Sequence, residues 1–259
     1  MAKLVFDDEG SRLVEEFNAS AGAKRRRARI NELLALSPRD HVLDVGSGPG
    51  HQVHDMASMV EHQGRVAGID SADSAVAIAR GRCAECDNVT FHVGEAANLP
   101  FGDGEFDAVM SSQVFEYLDE VCGALVEMFR VLRPGGRVLI HDTDWGALLW
   151  NSRDHDRMRR IMQLWGGHLA DPHVPWTLRA KCLDAGFTNV RTEPIVHVEL
   201  NYESNSMSAI LMKFINGYVV SRGVAQSEID AWMEDLCSLD ATNEYFFSSN
   251  EYVFLAEKP

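Results

Sequence analysis

The chain has 259 residues, 46% of them hydrophobic and 24% charged, the balance of an ordinary globular protein with a substantial core. Thirty-nine acids against 24 bases give a net charge of −15, which repels phosphate backbones and argues against DNA or RNA as a substrate or partner. The opening MAKLVFDDEG holds no apolar signal region and no stretch approaches the ~20 apolar residues of a membrane span, so the expectation is a cytoplasmic protein with no membrane partner; five cysteines without a regular framework suit a reducing compartment.

Taken in chain order, residues 11–36 carry Leu13, Val14, Phe17, Ile30, Leu33 and Leu34 at helical spacing on either side of an interruption at Gly22. Strands and helices then alternate, with strands over 41–45, 65–70, 88–93, 106–111 and 136–142 and helices over about 51–62, 72–85 and 118–132. Such alternation predicts a parallel sheet covered on both faces. Beyond Trp145 the pattern changes to helices over 155–169 and 176–185, an alternating strand over 188–200, a helical stretch over 204–239 and a last strand over 245–256. No repeat, low-complexity segment or linker breaks the chain, so residues 1–259 are expected to form a single domain.

The segment His41-Val-Leu-Asp-Val-Gly-Ser-Gly-Pro-Gly50 reads as a buried strand that ends near an acid, Asp44, and turns sharply through Gly46, Gly48 and Gly50. Glycine there permits positive φ and leaves room for a ligand against the backbone. A second apolar strand, Gly64-Arg-Val-Ala-Gly-Ile-Asp70, ends in another acid twenty residues after Gly50, the spacing of a βαβ unit whose carboxylate meets a ribose. A nicotinamide dinucleotide would need glycine where His51 stands, and Pro49 removes an N–H donor from the turn that would hold its pyrophosphate. The loop suits a ligand without phosphate. Asp-x-Gly-x-Gly-x-Gly followed by an acid closing the second strand resembles the class I S-adenosylmethionine-dependent methyltransferases, specifically over about 38–144, and the core is similar to the ubiquinone/menaquinone-type small-molecule group.

The resemblance implies a Rossmann-like α/β fold: a doubly wound, mostly parallel seven-stranded sheet with an antiparallel last strand and a helical lid inserted at about 203–242. It divides the chain into an N-terminal helical cap (1–36), a cofactor-binding core (37–144) and substrate-side helices with the lid and final strands (145–259). It also implies a cofactor, S-adenosylmethionine, held by Asp44, Gly46, Ser47, Gly48 and Gly50, with Asp70 and Ser71 at the ribose. Gly94, Glu95 and Ala96 would turn beneath the adenine, Glu95 standing where an aspartate is commoner. Val131-Leu-Arg-Pro-Gly-Gly-Arg-Val-Leu-Ile140 matches the family's turn into the fifth strand and is assigned no chemistry.

In an open α/β sheet ligands bind outside the carboxyl ends of the strands, which brings Ser111, Ser112 and Gln113 to the cofactor–substrate junction. Glu116, Tyr117, His141 and Asp142 are the candidate catalytic residues, and Phe115, Trp145 and Trp176 are candidates for the substrate pocket. Each has a plainer alternative: Glu116 a first-turn helix acid, Tyr117 a core aromatic, His141 a satisfied sheet histidine, Asp144 a helix cap. The basic run Lys24-Arg-Arg-Arg-Ala-Arg29 reads as a solvated helix face. Cys83-x-x-Cys86 is half of a zinc pattern with no second half, and no metal site is expected. The apolar face Met207, Ile210, Leu211, Phe214, Ile215 and Tyr218 fits a lid, ordinary core or a homodimer contact. The function expected is methyl transfer to a small-molecule acceptor by in-line displacement. The alternatives are a nicotinamide-dependent oxidoreductase or a non-catalytic cofactor-sensing module.

Overall fold

The computed structural model describes residues 8–259, and the chain falls into two compact units whose segments alternate along the sequence. A sheet unit comprises Arg27–Thr143, His173–Pro194 and Tyr252–Pro259; a helical unit comprises the chain up to Arg26, Asp144–Pro172 and Ile195–Glu251.

The chain enters through α1 (Asp8–Ala19) and α2 (Ala21–Leu34). The break between them falls at Ser20, whose Oγ accepts the Ala23 N–H, and not at Gly22. Gly22 lies inside α2, where a Cβ would come within 2.7 Å of the His197 ring, so this glycine serves close packing.

In the sheet unit, β1 (His41–Val45), α3 (His51–Met59), β2 (Arg65–Asp70), α4 (Asp73–Arg82), β3 (Val89–Val93), β4 (Phe106–Ser112), α5 (Val121–Val131) and β5 (Leu132–Thr143) follow in order. The strands lie β3-β2-β1-β4-β5-β8, with β8 (Phe247–Glu257) next to β5. Strands β3, β2, β1, β4 and β5 are parallel in successive pairs, with Val45 level with Ile69 on one side and Ser111 on the other. Four of the five β1 residues are buried, as a central strand covered on both faces requires. The order reverses at β1, between β2 and β4, and that is where an open α/β sheet forms its ligand crevice.

The core on one side joins Leu43, Val45, Ile69, Val109 and Ile140 to Leu125 and Met128 of α5 and to Val174, Leu178 and Cys182 of α7 (Val174–Asp184). Helix α7 is therefore part of the sheet's core, although its position in the sequence suggests the substrate side. Strand β5 begins at Leu132, directly after α5, so Leu-Arg-Pro-Gly-Gly lies within the strand's start, where Gly135 takes the left-handed φ of 74°. Gly135 N–H donates to the Lys258 carbonyl and Lys258 N–H to the Gly136 carbonyl, which seats the end of β8 against the start of β5 in antiparallel fashion. Strand β7 (Thr188–Glu199) pairs with β8.

The helical unit contains α6 (His155–Trp165), α8 (Met207–Ser221) and α9 (Gln226–Ser238), and a two-residue strand, β6 (Leu149–Trp150), antiparallel to the start of β8. With β6 the sheet has eight strands among the described residues, where seven were expected; two residues are too few to show periodicity. The helical stretch expected over 204–239 is two helices parted at Gly223, which takes φ 92°. Nine residues of α8 are buried, and Leu211, Met212, Ile215 and Val219 meet Met158, Ile161, Trp165 and Trp232 in one cluster. The segment at 203–242 thus supplies the central core helix of this unit.

Candidate cofactor site and family

All the principal cofactor candidates lie in the sheet unit, at the carboxyl ends of its strands. Leaving β1, the chain turns through Gly46 (φ 79°) and Gly48 (φ 50°). The N–H groups of Gly46 and Ser47 donate to the Ile69 carbonyl at 2.7 and 3.0 Å, which hangs the loop from β2. The Asp70 carboxylate then accepts the Gly48 N–H at 2.8 Å through one oxygen and the Ala72 N–H at 2.9 Å through the other. Arg82, which the motif gives no reason to suspect, donates from Nε to the Pro49 carbonyl at 2.8 Å. Asp70 is therefore both the acid expected at the ribose and the tether of the turn.

A Cβ at Gly46 would lie 2.2 Å from Val114 Cγ2, whereas one at Gly48 would meet nothing within 4 Å. Gly46 is excluded from change by the protein itself. At Gly48 the backbone faces open space that a side chain would fill, which is what a ligand cradle requires. Nearby, Asp44 is 2% exposed, and burial, aided by the charge of Asp70, raises its carboxyl to about 7. Among the described residues, Ser47 Oγ and Gln113 Nε2 are buried polar atoms with no hydrogen-bond partner. Gln113 also takes φ 59°, a conformation costly for a side chain of that size; it is fixed by its N–H to the His141 carbonyl at 2.8 Å and by the Thr143 hydroxyl donating to its Oε1 at 3.0 Å. An orphaned pair of polar groups, an open glycine and an acid at the end of β2 fit the nucleoside and amino-acid ends of S-adenosylmethionine.

The remaining candidates divide by burial. Ser71 and Glu95 are exposed, and Gly94 is bonded by its N–H to the Asp70 carbonyl at 3.0 Å. Ala96 packs against the core. Ser111 is fully buried and donates to the Val45 carbonyl at 2.8 Å, which ties β4 to β1. His141 is fully buried, with Nδ1 2.9 Å from Ser112 Oγ, the arrangement of a satisfied sheet histidine. Asp142 accepts the Val114 N–H at 3.2 Å, and Glu116 accepts the Thr143 N–H at 3.4 Å, so the two acids brace the turn after β4 against the end of β5. Burial, with Glu116 nearby, pushes the Asp142 carboxyl well above the carboxylate range, and burial followed by these two acids does the same to the Tyr117 phenol. Glu116 lies in a single 3-10 turn (Phe115–Tyr117), not in the following helix.

Two of the pocket candidates stand at opposite extremes of burial. Phe115 is 0% exposed within the sheet core, so it supports the turn from beneath. Trp176 is 69% exposed and stacked on His173, because Val174, Leu178 and Cys182 take the buried face of α7. Trp145 lies in the helical unit, half-buried. Among the described residues no group of three or more His, Cys, Asp or Glu side chains could hold a metal ion, and no helix is long and apolar enough to cross a membrane.

A sequence model of the methyltransferase domain family matches residues 36–191, which contain the glycine loop, Asp70 and β4–β5. The chain belongs to that family. It is a class I S-adenosylmethionine-dependent methyltransferase, with the mixed, mostly parallel sheet of that fold. The methyltransferase is 28% identical over 255 residues to an uncharacterized 37.1 kDa protein in transposon TN4556 of Streptomyces fradiae, covering 96% of this chain and 71% of that protein. It is 25% identical over 201 residues to a demethylmenaquinone methyltransferase of Staphylococcus epidermidis, covering 70% and 83%. Several other matches are partial, and this chain spans as little as 28% of one curated relative. The fold resembles that of a phosphoethanolamine N-methyltransferase from Haemonchus contortus, with a TM-score of 0.65, 19% identity and coverage of 98% and 58%.

Proposed function

We propose that this methyltransferase, working in the cytoplasm, moves the methyl group to a small-molecule acceptor by in-line displacement. When bound, the cofactor supplies a methyl group already activated on a sulfonium, so the chain's own residues must hold, orient and exclude water. The observation that carries the reading is the turn at Gly48, open to a ligand on one side and tied to the Asp70 carboxylate on the other. Asp70 offers a charged acceptor for hydroxyl donors, and Asp44 offers a negative charge above pH 7 at a site that must accept a cation. Gln113 Nε2 is a donor held in place by Thr143. Asp142 and Glu116 act as positioning groups for the turn that carries Val114 and Phe115. Rate enhancement from alignment of this kind reaches about 7–11 kcal/mol without a metal or a covalent intermediate.

The test is an acceptor screen that follows formation of S-adenosylhomocysteine. At least one small molecule should drive product formation well above the acceptor-free background, and Gly48→Val should abolish it. Turnover on a protein or nucleic-acid acceptor alone would overturn the reading.

A further inference from the structure

Cys83 and Cys86 lie within the sheet unit, at the end of the helix that grips the cofactor turn. Helix α4 starts at Asp73, just past the acid Asp70, and closes at Cys83, its C-cap. Its last turn meets the far end of the glycine turn at three points. Arg82 Nε donates to the Pro49 carbonyl at 2.8 Å, and Cys83 Sγ donates to the Gly50 carbonyl at 4.0 Å. Ala79 packs so closely on Gly50 that a Cβ added there would come within 2.9 Å of its methyl group. One helix therefore joins the acid expected at the ribose to the exit of the turn.

Past α4 the chain folds back at once. Cys86 N–H donates to the Cys83 carbonyl at 2.9 Å, closing a four-residue turn. Such a turn keeps its end Cα atoms within about 7 Å, and a disulfide spans Cα atoms about 4.4–6.8 Å apart. The two thiols are free and hydrogen-bonded to each other. Their surroundings differ. Cys83 is 5% exposed, and burial, aided by the Cys86 thiol, pushes it up to about 11, so it keeps its proton at neutral pH. Cys86 is half-buried and within reach of a small reagent.

We propose that Cys83 and Cys86 form a site of oxidative modification, a dithiol that a hydroperoxide converts to a disulfide, and that this bond loosens the grip on the cofactor. Cys86 reacts first. Its thiolate sulfur attacks the peroxide O–O bond, which breaks to leave Cys86 as the sulfenic acid and to release an alcohol or water. The Cys83 sulfur then attacks the Cys86 sulfur, and the departing hydroxide takes the Cys83 proton and leaves as water. The two thiols together give up two electrons, and the peroxide gains them. Without its proton, Cys83 has no donor for the Gly50 carbonyl, and the new ring draws the end of α4 towards Cys86. The Asp70 tether at Gly48 stays in place, so binding weakens and is not abolished. This consequence rests on the cofactor site placed at the turn after β1.

The test treats the full chain with hydrogen peroxide and then with dithiothreitol, following intact mass, peptide maps and calorimetry with S-adenosylmethionine. Peroxide should remove two hydrogen atoms, and the peptide map should place the link between Cys83 and Cys86. The linked chain should bind S-adenosylmethionine about three- to ten-fold more weakly, the loss of one neutral hydrogen bond, with affinity restored by dithiothreitol. Peroxide-treated Cys86→Ser should keep the affinity of the untreated chain, which separates the disulfide from oxidation of methionines. Absence of the link, a link with unchanged affinity, or an equal loss in Cys86→Ser would overturn the proposal; the two forms of the unaltered chain decide this even where the variant fails to fold. An untreated chain that binds no S-adenosylmethionine contradicts the methyltransferase reading and this consequence with it. Intact binding that the link leaves unchanged contradicts only the switch.

Discussion

At the turn after β1, two glycines answer to different constraints, and substitutions there should fail differently. Gly46→Ala places a Cβ 2.2 Å from Val114 Cγ2 at φ 79°, so overpacking and strain should destabilise the fold by about 1–3 kcal/mol in denaturant titrations. At Gly48 a Cβ meets no atom within 4 Å, so the main cost of Gly48→Val to the fold is the backbone conformation at φ 50°, about 1–2 kcal/mol, while the ligand loses its space. Asp44 adds a pH dependence. Its carboxyl is raised from 3.8 to about 7 in the folded chain, so the ligand-free protein holds more protons than the unfolded chain between those values. Stability is therefore full below 3.8 and declines as pH rises through about 7, an effect worth about 4 kcal/mol at most. Asp44→Asn should flatten that decline and raise the stability of the ligand-free protein at pH 8, while weakening the cationic cofactor. Calorimetry of S-adenosylmethionine binding at pH 6 and pH 8 should show tighter binding at the higher pH in the unaltered chain and a smaller difference in the variant.

At the scale of elements, the sequence marks a strand well where one period dominates and poorly where packing decides. Strands β1, β2 and β4 show as apolar runs because both their faces are covered, and the glycines show the turn because few other residues fit it. The tether from Asp70 to the Gly48 N–H, the Arg82 contact with Pro49 and the brace between Glu116 and Thr143 leave no local pattern, since each joins residues distant in sequence. His141 and Ser111 read as polar strand-end residues, and their hydrogen bonds to Ser112 and to the Val45 carbonyl leave no trace in the sequence. Helix α8 illustrates the same limit: its apolar face fits a lid, a dimer contact or a core equally well in sequence, and the structure buries that face beside Met158, Ile161, Trp165 and Trp232. Its start is held by Glu199, which accepts the N–H groups of Met207 at 3.0 Å and Ser208 at 3.2 Å. Burial works against that carboxylate, but hydrogen bonds from His197, Ser208 and Ser206 outweigh it and lower the group to about 2. Glu199→Ala should cost about 1–2 kcal/mol, and Met212→Ala, at a fully buried position, about 2–5 kcal/mol, both read from urea midpoints. Because its folded pKa is depressed, the Glu199 contribution is present above 4.5 and is lost as pH falls through about 2.

For the whole molecule, the acidic balance and the make-up of the two units shape what can be expected. Two arginines of the basic run on α2 are met by acids, with Arg26 3.5 Å from Glu251 and Arg27 3.1 Å from Asp55, and the run sits in a chain whose net charge is −15. Methyl transfer by alignment requires no metal. Dialysis against a chelator should leave turnover unchanged, and activity lost there and restored by a divalent ion would point to a site outside this account. We place the cofactor at the turn from Gly46 to Gly50, tied to Asp70. Calorimetric titration of S-adenosylmethionine into the unaltered chain and into Gly48→Val, each first shown to unfold cooperatively, tests it most directly. The unaltered chain should bind with micromolar affinity and Gly48→Val should give no measurable heat. Equal affinity for both chains would contradict it.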